Sequence, residues 1–150
     1  MSSSQELRQR LAALDLLDSA GRPVEVETAL GIKLPDEVKR IASFFAGDLV
    51  GGISHFPWTT DNDWSVVAAT QRAREAQGIG STSFILLAEP AESVVVLRVD
   101  GSPAVIWCDA SDFGRVVKGE APTADDAEIF DTYVDFIEYL VSEEEDERSN

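Results

Sequence analysis

The sequence predicts an α+β domain on three observations. Amphipathic helical periods fill its first third, strand-like runs parted by turn residues follow, and a long amphipathic helix closes the chain. The expected architecture is a set of short N-terminal helices, a central, mostly antiparallel twisted sheet of about four to six strands, and the long C-terminal helix packed on that sheet. With 150 residues, 44% of them apolar, the chain has the length and composition of one hydrophobic core. That domain is expected over residues 1–142, with the acidic residues 143–150 as an unstructured tail.

Ser3 and Glu6 have capping-box spacing, and Leu7, Leu11 and Leu14 follow at helical intervals, which predicts a helix over residues 5–17. Pro23 suits the first position of a second short helix, in which Val26 and Leu30 share a face and Gly31 supplies a left-handed cap. Ile32-Lys33-Leu34 then crosses in extended form to Pro35. A third helix starts there, with Asp36 and Glu37 near its positive end, Val38, Ile41, Ala42 and Phe45 as its buried stripe, and Gly47 as its stop. Residues 47–63 are too rich in Gly, Pro and Asp for a long element and predict a short strand within a loop. Residues 64–76 read as a helix ended by Gln77-Gly78.

Three strand-like runs come next, over 83–88, 93–99 and 104–108. Glu89-Pro90 separates the first two. Asp100-Gly101-Ser102-Pro103, with its hairpin-forming Asp-Gly pair, separates the second and third. Val116-Val117 reads as a short edge strand. The last helix is expected over 124–142, with Phe130, Tyr133, Val134, Ile137, Leu140 and Val141 on its buried face.

Charge narrows the function classes. The chain has 28 acidic and 12 basic side chains, a formal charge of −16 and a pI near 4.2, which argues against direct binding to nucleic acid or to an anionic membrane. The acid is concentrated: residues 76–150 hold 17 carboxylates and 4 cations, against 11 and 8 in residues 1–75. Such a field speeds encounter with a cationic protein, although acid surfaces also simply keep proteins soluble. No apolar run is long enough for a membrane helix, and the first residues lack the charged and apolar regions of a secretory signal. The lone Cys108 has no partner for an internal disulfide. Together these predict a cytoplasmic protein; they leave its oligomeric state, monomer or weak dimer, open.

Few groups suit catalysis. His55 and Cys108 are the only residues of their types, and no third group is positioned to orient them as base and nucleophile; Cys108, at a strand end, reads as a buried structural thiol. A zinc site needs more Cys or His. Gly78-Ile79-Gly80 lacks the lysine and the strand-to-helix setting of a phosphate loop. The spacings Asp61/Asp63 and Asp109/Asp112 suit a hard cation but arise by chance in so acidic a chain. No catalytic residue, metal or cofactor is expected. The candidate partner-binding residues fall in two sets. Trp58 with Asp61 and Asp63 would make an aromatic anchor beside carboxylates, unless Trp58 pins its loop to the core. Asp131, Asp135 and Glu138 would form a carboxylate stripe on the last helix, which as a plain solvated face would carry no function.

The order of elements is itself informative. Leu30-Gly31-Ile32-Lys33-Leu34-Pro35-Asp36-Glu37 leads into a short helix, Phe44-Phe45 and Gly51-Gly52. Phe84-Ile85-Leu86-Leu87, Val105-Ile106-Trp107 and Tyr133-Val134-Asp135-Phe136-Ile137-Glu138-Tyr139-Leu140 follow. Over residues 24–141 this resembles the SUKH superfamily, with Glu89-Pro90-Ala91-Glu92 standing where the family has a Gly-Asp-rich segment. The resemblance implies an α+β fold without catalytic residues, used mainly as an immunity protein that binds and neutralises a toxin domain of a bacterial contact-dependent or polymorphic toxin system. Other members are regulatory adaptors. The acidic surface suits a basic nuclease or nucleic-acid deaminase as the toxin.

Overall fold

The helical periods of the N-terminal third form three helices in the computed structural model, which describes residues 4–78, 84–101 and 103–149. They are α1 (Ser4–Ala13), α2 (Pro23–Leu30) and α3 (Asp36–Ala42). The expected capping residue Ser3 lies outside the described residues. Helix α1 ends four residues before its leucine spacing predicts, because Asp15 takes a left-handed φ of 60° and Leu16 N–H returns to Leu11 O at 2.9 Å. Gly31, at φ 65°, caps α2 as expected. Glu27 then accepts Leu34 N–H at 2.7 Å, so the Ile32-Lys33-Leu34 crossing is fixed with Ile32 and Leu34 buried. Helix α3 stops at Ala42, before Gly47, yet Phe45 stays in the core.

The Gly-rich segment holds a hairpin, β1 (Leu49–Val50) and β2 (Ile53–Ser54). Its turn residues Gly51 and Gly52 have φ of 58° and 81°, the region that tight hairpin turns require. A Cβ on Gly51 would lie 2.6 Å from Leu140 O, so glycine also lets the hairpin rest on the last helix. Helix α4 (Val66–Gln77) starts where Ser65 Oγ accepts Ala68 N–H at 3.1 Å and ends at Gly78, φ 63°.

The main sheet is antiparallel, in the order β3 (Phe84–Ala88), β4 (Ser93–Arg98), β5 (Val105–Asp109), β6 (Glu128–Phe130). Ser83, the expected first residue of β3, Gly80 of the glycine pair and Ser102 of the expected turn lie outside the described residues. The row Ile85–Leu97–Val105–Phe130 carries one face; there Phe130 meets Phe136 at 5.3 Å and Tyr139 at 5.5 Å on α6 (Tyr133–Arg148). The other face meets α5 (Phe113–Val117), where Phe84 stacks edge-on with Phe113 and Arg98 donates to Val116 O at 3.1 Å. Burial on both faces accounts for the continuous apolar run Val94 to Leu97.

Three expectations are corrected in the C-terminal third. Val116 and Val117 are helical, not an edge strand, because a single 3-10 turn at Ala110–Asp112 leads into α5 and buries Phe113, Val116 and Val117 on one side. The edge strand is β6, within the span expected to be helix from residue 124. Asp112 brings the chain there by accepting Thr123 N–H at 2.9 Å, Thr123 O–H at 2.8 Å and Ala124 N–H at 3.3 Å, bonds that hold its carboxyl below the usual range. Helix α6 then begins only at Tyr133, capped by Thr132 Oγ1 accepting Asp135 N–H and by Glu37 accepting Val134 N–H at 2.9 Å.

The third correction concerns the tail. Instead of ending at 142, α6 runs to Arg148. Two of its acids are tied down: Arg10 grips Glu145 at 2.7 Å, Arg148 pairs with Glu144 at 2.8 Å and donates to Leu14 O, and Gly51 N–H donates to Glu144 at 3.0 Å. These partners offset the like-charge repulsion that would otherwise fray a helix end bearing Glu143 to Glu147.

Candidate functional site

The aromatic anchor of the sequence reading turns inward. Trp58 is fully buried, and its indole N–H donates to Tyr133 Oη at 3.0 Å. His55 is buried beside it, with Nδ1 2.7 Å from Phe56 O and Nε2 2.7 Å from Tyr133 Oη. Phe56 O can only accept, so Nδ1 carries the proton, Nε2 accepts from the tyrosine hydroxyl, and that hydroxyl accepts from Trp58. Every polar atom of the chain of bonds is satisfied by a neutral imidazole. Burial pushes the His55 pKa down to about 4. Trp58 is therefore core, and Trp64, 71% exposed, is the tryptophan that faces solvent.

Asp61 and Asp63 are exposed as expected. Asp63 and Trp64 border an open cleft of about 800 Å³ with Phe56, Arg72 and Glu89, and Arg72 donates to Asp63 O at 2.8 Å. The cleft thus mixes both signs of charge. His55 and Cys108 do not pair. Both His55 nitrogens are engaged away from Cys108, and burial first, then Asp112 and Asp109, push the Cys108 thiol up to about 11, leaving it protonated at neutral pH. Among the described residues no three His, Cys, Asp or Glu side chains gather as a metal site would require.

The carboxylate stripe is divided. Asp131 lies before α6, at the end of β6; Asp135 is exposed; Glu138 is half-buried and contributes to raising the Arg10 pKa, whose largest cause is the hydrogen bond to Glu145. Glu144 and Glu145, held below the usual carboxylate range chiefly by Arg148 and Arg10, are compensated. The uncompensated acid collects elsewhere. Asp125, Asp126, Glu128 and Asp131 are exposed along β6, none with an ion-pair partner among the described residues. Residues 121–147 contain 11 carboxylates and no Lys or Arg.

Strand β6 is also a sheet edge. Arg98 N–H donates to Ala104 O and Ala110 N–H to Glu92 O, so the even-numbered residues of β5 bond to β4; by antiparallel alternation Val105 and Trp107 bond to Phe130 and Glu128, and the backbone N–H and C=O of Ile129 point out. Ile129 is 52% exposed. Beyond Glu128, β5 outruns β6 and leaves a notch of about 220 Å³ lined by Trp107, Asp109, Asp126 and Glu128. Tyr139 lies close by: its pKa is raised by burial, then by Glu128 and Glu143.

Sequence reasoning missed Tyr133 as the hub of the buried bonds and β6 as a strand. Three residues of alternation are too few to register a period. The signal available was Thr132-Tyr133-Val134-Asp135, a capping spacing that starts the helix at Tyr133 and releases residues 124–131 from it.

The fold and this geometry define an α+β domain with one sheet edge closed by its own chain and the other open and acidic. The chain matches no protein-family model, and no curated protein is significantly similar to it. The SUKH resemblance rests on the residues quoted for it, of which Gly31, Leu34 and the Gly51-Gly52 turn have the structural roles given above.

Proposed function

We propose that the chain is a non-catalytic, cytoplasmic binding protein that neutralises a cognate bacterial toxin domain, a basic nuclease or nucleic-acid deaminase, by covering its cationic active site. The observation that carries this reading is the exposed acid of β6 and its flanks, uncompensated within a stretch free of Lys and Arg. Nuclease and deaminase sites are built to hold polyphosphate, and a rank of fixed carboxylates presents the same charge to them. The SUKH resemblance supports the same class. The test is to translate the reading frames flanking this one and co-express any basic terminal domain of an exported neighbour with and without the chain. Rescue of growth and co-purification are expected, with an association rate falling about tenfold or more as salt is raised from 50 to 300 mM. Flanking frames of only metabolic or regulatory kind, or a toxic basic domain that the chain neither binds nor silences, would overturn it. A second reading, a cytoplasmic regulatory or adaptor domain with endogenous partners, is favoured by the mixed-charge cleft around Trp64. It expects partners of ordinary charge and little salt dependence.

A further inference from the structure

Edge strands are normally blunted by a covering element, a proline, a bulge or a charge. Among the described residues β6 has only charge: nothing hydrogen-bonds the outward backbone of Ile129. All of that charge is negative. Two β6 edges paired with each other would set Asp125, Asp126, Glu128 and Asp131 of both copies side by side, and like charges across strands are destabilising. The same edge is attractive to a strand bearing Lys or Arg. Ile129 and Phe130 add apolar surface on opposite faces, and the notch beside Trp107 offers Asp109, Asp126 and Glu128 to one cationic head with an indole for its stem or charge.

We propose that β6 receives an extended Lys- or Arg-bearing segment of the partner protein as a fifth strand of the sheet, with one basic side chain seated in the notch lined by Trp107, Asp109, Asp126 and Glu128. This rests on the reading of the chain as a binder of a basic protein and names the mode of capture. Main-chain bonds to Ile129 N–H and C=O supply affinity, and alternate side chains supply selectivity.

The test uses the full chain and a soluble peptide of about ten residues alternating Lys and Thr, beside the same peptide N-methylated at every second residue, which keeps the charge and removes the donors. With the first peptide, amide exchange at Ile129 slows at least about tenfold while Leu86 is unchanged. The N-methylated peptide, and the variant Ile129→Pro with the first peptide, each weaken binding about tenfold. Proline at Ile129 removes an outward N–H only, and retained thermal stability checks that the fold survives. Equal binding of the two peptides reduces the effect to charge and overturns the proposal. So does slowed exchange at Ile129 on raising protein concentration alone, which would place a second copy on the edge. The two levels separate cleanly: a basic partner domain that binds the wild-type and Ile129→Pro chains equally overturns the added strand but leaves the binder, whereas a basic domain that binds neither overturns the binder.

Discussion

The two edges of the sheet satisfy their outward backbone in opposite ways. On β3, Thr70 of α4 accepts Leu86 N–H at 3.0 Å and Leu87 O accepts Phe56 N–H at 2.8 Å, both inside the core. On β6, the equivalent groups of Ile129 meet no described residue and are flanked by carboxylates. The closed edge depends on elements distant in the chain. Residues 54–58, which supply Phe56, are held in turn by the bonds among His55, Trp58 and Tyr133. Stability is thus invested at β3, and accessibility at β6.

Changes on the closed side are expected to cost most. Tyr133→Phe strands the Trp58 indole N–H and His55 Nε2 in a buried space, an expected loss of about 3–4 kcal/mol in urea unfolding; a loss under about 1 kcal/mol would show that the network does not hold the edge. Acid acts on the same place. The imidazole, packed among the rings of Phe45, Trp58 and Tyr133, stays neutral down to about 4 in the folded chain but gains its proton near 6.5 when unfolded. Its contribution is complete above 6.5 and is lost as pH falls from there towards 4, on the order of 3 kcal/mol in all. As the chain has one histidine, its ring proton resonance follows the titration directly, and a midpoint near 6.5 would contradict the buried neutral state. Thr70→Val leaves Leu86 N–H unpaired inside the protein, for about 2 kcal/mol.

The open edge behaves otherwise. Asp126→Asn with Glu128→Gln is expected to change stability by less than about 0.5 kcal/mol while slowing association with a basic partner several-fold. A stability change as large as that of Thr70→Val would mean that these carboxylates serve the fold and not a partner.

The same contrast explains what the sequence made legible. The helices that bury a full stripe, α2 and α4, and the strands buried on both faces, β3 to β5, were readable because burial imposes a period or an apolar run. The ends of α1 and α3, set by a left-handed Asp15 and by packing after Ala42, left no such mark. The C-terminal third misled for a physical reason: Phe130, half-buried against Phe136 and Tyr139, fits the period of the helix that follows it. Of the expected partner-binding residues, Asp61, Asp63, Asp131 and Asp135 are exposed, Glu138 is half-buried and Trp58 is core. Exposure of an acid can be guessed from its type; the pairing of Glu144 and Glu145 with Arg148 and Arg10 is tertiary, and so is the gathering of unpaired acid at β6.

The most direct test of this asymmetry is residue-resolved amide exchange on the free chain under native conditions. Leu86 N–H is expected to exchange only by near-global unfolding, whereas Ile129 N–H is expected to exchange close to the rate of an unprotected peptide. Equal protection at both edges, with Ile129 as slow as Leu86, would show β6 to be covered and would contradict the account.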